Sequence, residues 1–519
     1  MSAVVTDQFR IDNANSFIDS ILSSSNSYYV FLGLPNPISA GFGRTTTGWP
    51  SNPIDNFDYQ THYRDTMMFG KKINSTNVRR VVKKNTWVTN IRYDMYRHDY
   101  NVNFEAPNSN TSNLYRSKYY VINSDFQVYI CIDNGSTGKP GTTSAKGEVS
   151  SVEPNFTDVE PVTLSDGYTW KYLYTVSPSD IIKFDSIEYV VLPNNWSTST
   201  DAQIKNIRNA GNSDINKNQI KKVYIEDGGS SYNGPKTETC NILGDGEGAK
   251  VSVTVDNTGK ITSTKVVSGG YGYTYGIVDL SPIYNDQQEQ SGLGKLIPII
   301  PPSKGHGYDL YKELGADKVL IYARFDDSTK DYPIDTSFAQ VGILKNPLKN
   351  SSSDLYTANE FSSLDSFKIS DELESSPVGV KITQTVGDNT ARGYVASYDD
   401  DTKIVKYFQD RSLFYVNGQD QSDNTEVSSL SKVLKISSSG GSITFAYPSG
   451  NVPKSLDTGL SGITTSSNNK IVNLGVSYTN GVAEPEINKK TGEIIYISNR
   501  TAVKRDLRQK EDVKIVLEF

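Results

Sequence analysis

The chain has 519 residues, 36% hydrophobic and 21% charged, with 33 Tyr, 40 Gly and 21 Pro against 4 Trp and 4 Met. At about 100 to 200 residues per domain this length exceeds one ordinary core, and the Tyr, Gly and Pro content describes a mainly β, multidomain protein: β-sandwich or barrel-like modules with few short helices. A net charge of -7 excludes a general affinity for nucleic acid or anionic membrane, while Cys131 and Cys240, without CxxC spacing, give neither a disulfide framework nor a zinc site and indicate a reducing compartment during assembly.

The N-terminal residues lack a basic n-region and an apolar h-region, and no run approaches the roughly 18 apolar residues of a membrane span. Neither Sec export nor membrane insertion is expected. Asn13 to Leu22 places Ala14, Phe17, Ile18, Ile21 and Leu22 at helical spacing. Tyr28 to Leu34 reads as a buried strand closed by Pro35 and Pro37, with a Gly/Thr/Pro-rich loop to about Asp58. Strand-like runs surround Trp87 between Val78 and Tyr96, and Phe126 to Ile132 alternates with Cys131 opposite its most apolar face.

The strongest local pattern follows the turn Asp166-Gly167. Tyr168, Trp170, Tyr172, Tyr174 and Val176 fall on one face, Thr169, Lys171, Leu173 and Thr175 on the other. This predicts a half-buried strand carrying an aromatic ladder, suited to packing a second sheet, a subunit or a flat ligand. Ile187 to Pro193 is a further strand, after which Trp196 to Lys222 turns polar. An internal repeat then appears: Asp227-Gly228-Gly229-Ser230-Ser231-Tyr232 returns as Ser268-Gly269-Gly270-Tyr271-Gly272-Tyr273. Between the copies lie strands at Val251 to Val255 and Ile261 to Val267, joined by the turn Asp256-Asn257-Thr258-Gly259. This segment resembles the small glycine-rich β modules of phage and bacterial surface proteins. Its glycines permit tight turns and do not form a phosphate cradle, since no helix follows them.

Gln287 to Lys295 is a polar connector, Val319 to Phe325 a strand, and the serine-rich, acidic stretch from Asn350 to Asp365 a boundary. From Phe367 to about Tyr447 a further β module contains a hairpin across Asp399-Asp400-Asp401-Thr402, and serine- and glycine-rich loops continue through Ser467. Glu493 to Ile497 and Val513 to Leu517 are closing strands, the last expected to dock in a core with Phe519. The expected organisation is 1–200 as the first part of a β-rich core, 222–282 as an inserted repeat module, 296–350 continuing the core, 366–467 as a second inserted module, and 480–519 completing the core.

Chemistry-bearing clusters are sparse. His62 and His98 lie near Asp65, Asp94 and Asp99 without a metal-ligand spacing, and read as exposed loop histidines. His306 between Gly305 and Gly307 reads as part of a flexible loop. Asp399 to Asp401 lacks the pattern of a calcium loop. Arg79, Arg80, Lys83 and Lys84, with Lys71 and Lys72, form the one basic cluster, read as a solvated face or a contact for an acidic protein before nucleic acid. No nucleophile elbow, Walker loop or His-Glu-x-x-His appears, and no cofactor is indicated. A pair of glycan-cleaving carboxylates stays open, because in a β-rich fold their spacing is set in space.

Four collinear stretches carry a family resemblance. Asp166 to Leu173, followed by Glu188 to Pro193, resembles the Asp-Gly-Tyr-x-Trp-x-Tyr-Leu and Glu-Tyr-x-Val-x-Pro segments of the gene-eight baseplate wedge proteins of T-even-like contractile-tailed bacteriophages. Ala3 to Arg10 is similar to that family's N-terminus, Phe338 to Leu348 to its Phe-x-Gln-x-x-Ile-x-x-Asn-Pro-Leu segment, and Gly492 to Arg500 with the terminal strand to its C-terminal region. The family proteins are shorter, and this chain departs from them chiefly through the two inserts. The resemblance implies a mainly β, non-enzymatic subunit that forms a homodimer and binds neighbouring wedge proteins, in the family those of genes six, seven and ten. It would be assembled in the host cytoplasm and located in the virion's tail baseplate, with no direct nucleic-acid contact. As interaction or core residues it marks Tyr168, Trp170, Tyr172, Tyr174, Tyr496 and Arg500. The alternatives are a carbohydrate-binding or glycan-degrading tail protein, since Tyr-rich β modules also stack on sugars, and a component of a related bacterial contractile injection system.

Overall fold

The structure is a computed structural model and describes residues 6–33, 55, 57–210, 218–284, 292–326, 337–409, 415–416, 419–420, 434–504 and 509–519. The loop expected after Leu34 and the start of the connector at Gln287 lie outside the described residues. Strands occupy 43% of the chain and helices 11%, in antiparallel sheets, so the protein is mainly β. Two compact units divide it: Met1–Ile18, Arg79–Leu320 and Val516–Phe519 form the first, Asp19–Val78 and Ile321–Ile515 the second.

The N-terminal helix runs Asp7–Leu22, earlier than the expected start at Asn13. Thr6 is the reason: its hydroxyl accepts the Phe9 N–H at 3.3 Å and its carbonyl the Arg10 N–H at 3.2 Å. A capped start with Asp7 in the first turn outweighs the polar character of the opening residues.

In the first unit, a four-stranded antiparallel sheet has the order Tyr120–Ile122, Gln127–Asp133, Thr169–Thr175, Val162–Thr163. The expected half-buried strand after Asp166-Gly167 is corrected here, because Trp170 to Tyr174 are all buried and the strand is covered on both faces. Leu173 is apolar and buried, and Lys171 is buried with its amine donating to a carbonyl.

The repeat region forms a second four-stranded sheet, ordered Ile261–Tyr271, Glu247–Val255, Lys236–Gly244, Gly276–Val278. Beside it Val223–Asp227 pairs with Lys295–Pro298. Ala249, Val251, Val253 and Val255 point into one core with Cys240, Ile242 and Ile261, while Lys250 stays exposed. Asp256 ties the connecting turn by accepting the Thr258 N–H at 2.8 Å and the Lys260 N–H at 3.0 Å. In the repeat, Gly229 (φ 62°) and Gly270 (φ 57°) occupy left-handed backbone, and a Cβ on either would lie 2.5 Å from a backbone atom, Gly294 N or Glu247 O.

In the second unit a five-stranded sheet runs Glu360–Ser362, Met67–Ile73, Tyr28–Gly33, Ser337–Lys345, Glu493–Lys504. Its central strand, Tyr28–Gly33, is wholly buried, as its uninterrupted apolar run requires. A seven-stranded sheet follows the order Gly450–Lys454, Ile443–Tyr447, Lys381–Val386, Asn389–Asp399, Ile404–Phe408, Asp365–Lys368, Val482–Ala483. Its core gathers Phe367, Ile382, Val395, Val405, Tyr407 and Phe445. The acidic run is a hairpin turn in which the Asp399 carboxylate accepts the Thr402 hydroxyl at 2.8 Å.

Candidate functional residues

The signature strand is held from its turn upward. Asp166 accepts the Ser151 and Val152 N–H groups at 2.9 and 3.0 Å through Oδ2 and the Tyr168 N–H at 3.2 Å through Oδ1, and Gly167 supplies the positive φ of 87°. Tyr168 donates its hydroxyl to the Glu148 carbonyl at 2.9 Å and accepts the Tyr93 N–H at 3.0 Å. Trp170 stacks on Tyr168 with centroids 5.5 Å apart and meets Tyr93 edge-on at 5.8 Å. Tyr172 shares a hydrogen bond with the Thr175 hydroxyl at 2.8 Å, and Tyr174 donates to the Val191 carbonyl at 2.9 Å. All four rings are at most 3% exposed, so in this chain they are core. Burial raises the pKa of all three tyrosines, which keeps their hydroxyls protonated as donors.

Lys171, on the opposite face, is fully buried and donates to the Val159 carbonyl at 2.7 Å. Burial, aided by the nearby Lys221 charge, lowers its pKa to about 8 against the opposing pull of Glu160 and Glu313. The ion pair between Lys221 and Glu160 at 2.6 Å leaves that carboxylate already engaged.

Tyr496 and Arg500 lie in the second unit on Glu493–Lys504, Tyr496 half-buried and Arg500 exposed. Tyr496 stands opposite Ile343, and Gln340 opposite Asn499, with the Gln340 side-chain amide donating to Asn499 Oδ1 at 3.0 Å. The six marked residues therefore divide: four are buried on one strand region of the first unit, and two lie on a strand of the second.

The basic cluster is engaged within the fold. Arg79 pairs with Asp180 at 2.7 Å, Arg80 is buried with its guanidinium on the Asn15 amide at 2.6 Å and over the Tyr311 ring, and Lys84 pairs with Asp185 at 3.1 Å. Lys71 pairs with Glu360, and Lys72 donates to the Thr357 carbonyl at 3.0 Å. Lys83 is exposed. Arg79, Lys84 and Lys71 are thus each paired with a carboxylate of the fold.

The histidine readings separate. The His62 side chain lies outside the described residues. His98 is exposed, as expected; its Nδ1 accepts the Ile300 N–H at 3.1 Å, and partial desolvation lowers its pKa against the pull of Asp99. Neighbouring Asp94 accepts the Asn108 N–H at 2.9 Å and the Ser109 hydroxyl. Burial alone would raise the Asp99 carboxyl, but the paired Arg97, bonded at 2.7 and 2.8 Å, outweighs it and holds the pKa below the usual range. Arg97 is itself clamped between Phe104 and Tyr224 at 4.0 and 4.1 Å. His306 requires a correction: it is buried, not part of a flexible loop. Its Nδ1 lies 2.6 Å from Glu313 Oε1, while Oε2 of the same carboxylate accepts the Gly307 N–H at 2.6 Å. Only the seven-residue spacing across a glycine-flanked turn could have pointed to this pair.

Among the described residues no group of three or more His, Cys, Asp or Glu side chains is placed to hold a metal ion, and no helix is long and apolar enough to cross a membrane. No family model matches the chain, and no curated protein does.

Proposed function

We propose that the chain is a non-enzymatic structural subunit of the baseplate wedge of a contractile phage tail, present as a homodimer and joined to neighbouring wedge proteins, in the family those of genes six, seven and ten. One observation carries the reading. The segments Phe338 to Leu348 and Gly492 to Arg500, which resemble two separate family stretches, fall on adjoining antiparallel strands, with Ile343 opposite Tyr496. Segments that matched by accident have no reason to meet in one sheet. The Asp166 to Leu173 and Glu188 to Pro193 segments likewise fall on framework strands, Thr169–Thr175 and Tyr189–Val191, and the Tyr174 hydroxyl bonds the Val191 carbonyl between them.

On this reading the protein works through buried area. Standard interfaces bury about 1,600 Å², with aromatic and Arg anchors, and several β modules on one chain can offer several such surfaces that repack between discrete states. The test is cryo-EM of the parent particle. The chain is expected at the baseplate beside a two-fold-related copy; a location elsewhere in the particle, or glycan turnover by the purified chain, overturns the reading.

A further inference from the structure

In the second unit two connectors run between the five-stranded and seven-stranded sheets. Ser363 and Leu364 lead from Glu360–Ser362 of the first to Asp365–Lys368 of the second, and residues 484–492 return from Val482–Ala483 to Glu493–Lys504. They are stitched together at Glu486. Its N–H donates to the Ser362 carbonyl at 3.2 Å, its carbonyl accepts the Asn350 N–H at 2.9 Å, and its Oε2 accepts the Ser362 N–H at 2.7 Å.

The other carboxyl oxygen poses the question. Oε1 lies 3.2 Å from the Tyr356 hydroxyl, and that hydroxyl lies 2.7 Å from the Glu360 carbonyl. A phenol has one hydrogen, and the Glu360 carbonyl is the nearer acceptor. An ionised Glu486 therefore presents an acceptor to an oxygen that has already donated. A protonated Glu486 completes the chain instead: Oε1–H to the Tyr356 hydroxyl, Tyr356 O–H to the Glu360 carbonyl, and the Ser362 N–H to Oε2. We propose that Glu486 is a proton-operated lock on this double crossover, closed when the carboxyl takes one proton from solvent and loosened when it gives that proton up.

The surroundings favour the neutral acid. Ile487, Tyr29, Tyr356 and Phe361 form the apolar cluster beside it. Burial raises its pKa most; the Ser362 N–H, the Lys406 charge and Tyr356 pull it down, the Glu360 charge pushes it up, and the net direction is upward. Glu360 is paired with Lys71, Lys406 lies over the Phe69 ring at 5.7 Å, and the Tyr29 hydroxyl is spent on the Ala358 carbonyl at 2.8 Å. Two residues away, Glu484 shares Lys435 with Asp365, at 3.4 and 2.7 Å. Because the folded pKa lies above the unfolded one, the stabilisation is fully present below the ordinary Glu range and is lost as pH rises through the folded value.

Hydrogen exchange of the intact chain between pH 4 and pH 8, corrected for intrinsic exchange rates, reads the lock directly. The opening constants of the segments at 360–364 and 484–488 should rise with pH by up to roughly tenfold per unit between the ordinary Glu value and the raised folded one, the limit for one linked proton, and level off above the folded value. Glu486→Gln, whose amide donates to Tyr356 and accepts from Ser362, should hold both segments closed at every pH. Tyr356→Phe, which removes the acceptor, should weaken protection at pH 5 and flatten the profile. A flat wild-type profile overturns the proposal without any variant. So does a Glu486→Gln protein that keeps the wild-type pH dependence, or one that is less protected than wild type at pH 8.

Discussion

In Thr169–Thr175 every residue from Trp170 to Tyr174 is buried, whereas in Glu247–Val255 the buried residues from Ala249 onward are only every second one. Both are interior strands of four-stranded antiparallel sheets of the first unit, so sheet position does not separate them. The polar partners do. Opposite the Ala/Val face of Glu247–Val255 stand Lys250, Ser252 and Thr254, which keep contact with solvent. Opposite the aromatic face of Thr169–Thr175 stand Lys171 and Leu173, and Lys171 can be buried because its amine finds the Val159 carbonyl. One satisfied amine turns an amphipathic strand into a two-faced core strand.

The largest expected effect tests the aromatic side of that comparison. Trp170→Ala should cost about 3 to 5 kcal/mol in urea unfolding, the range for deleting a large buried aromatic ring. A variant with unchanged stability would show that the ring is not the core element its burial makes it. The next effect tests the opposite face through pH. Lys171 loses its proton near pH 8 when folded and near its ordinary 10.5 when unfolded. Between those values the unfolded chain binds the extra proton, so stability rises with pH by up to about 1.4 kcal/mol per unit. From pH 8 to 10 the wild type should gain about 2 kcal/mol relative to Lys171→Met, measured by urea unfolding at each pH. Tyr168, Tyr172 and Tyr174, with raised pKa values, act in the opposite sense and only above the ordinary tyrosine value of 10.0, which sets the upper end of the window. Parallel profiles for the two proteins would remove Lys171 from the account. A smaller loss belongs to the turn: Asp166→Ala leaves the Ser151, Val152 and Tyr168 N–H groups without their acceptor and should cost about 1 to 2 kcal/mol in the same assay.

Local pattern carried much of the fold. Alternation marked the strands around Trp170 and Val253, Asp256 to Gly259 marked a turn, and the acidic run at Asp399 marked a hairpin, because each depends on neighbours in sequence. What could not be seen depends on residues far along the chain. Whether Lys171 faces water is decided by the Val159 carbonyl, and whether Arg79 attracts a polyanion is decided by Asp180. His306 gave no sign of burial because the Gly-His-Gly context reads as loop until Glu313 is folded against it. Glu486 carried no local signal at all, since its partners, Tyr356 and Ser362, lie more than a hundred residues away. The marked residues were legible as a set only through resemblance; their division between two units is a property of the fold.

The smallest effect belongs to the outward face of the repeat sheet. Leu243 and Ile277 are direct cross-strand partners, 57% and 66% exposed, next to Tyr275 at 58%. A side chain that keeps this much water contact when folded has little burial to lose, so Leu243→Thr should change unfolding stability by no more than about 0.5 kcal/mol. Val251, on the inward face of the neighbouring strand, has no such freedom, being 0% exposed within the module's core. Comparing Leu243→Thr with Val251→Thr under identical conditions sharpens the contrast between a one-faced and a two-faced strand, because Thr preserves β-propensity and changes chiefly the burial of polarity. If Leu243→Thr proved as costly as Val251→Thr, the outer face would be as buried as the inner one, and the repeat sheet would have to be classed with the signature strand instead of against it.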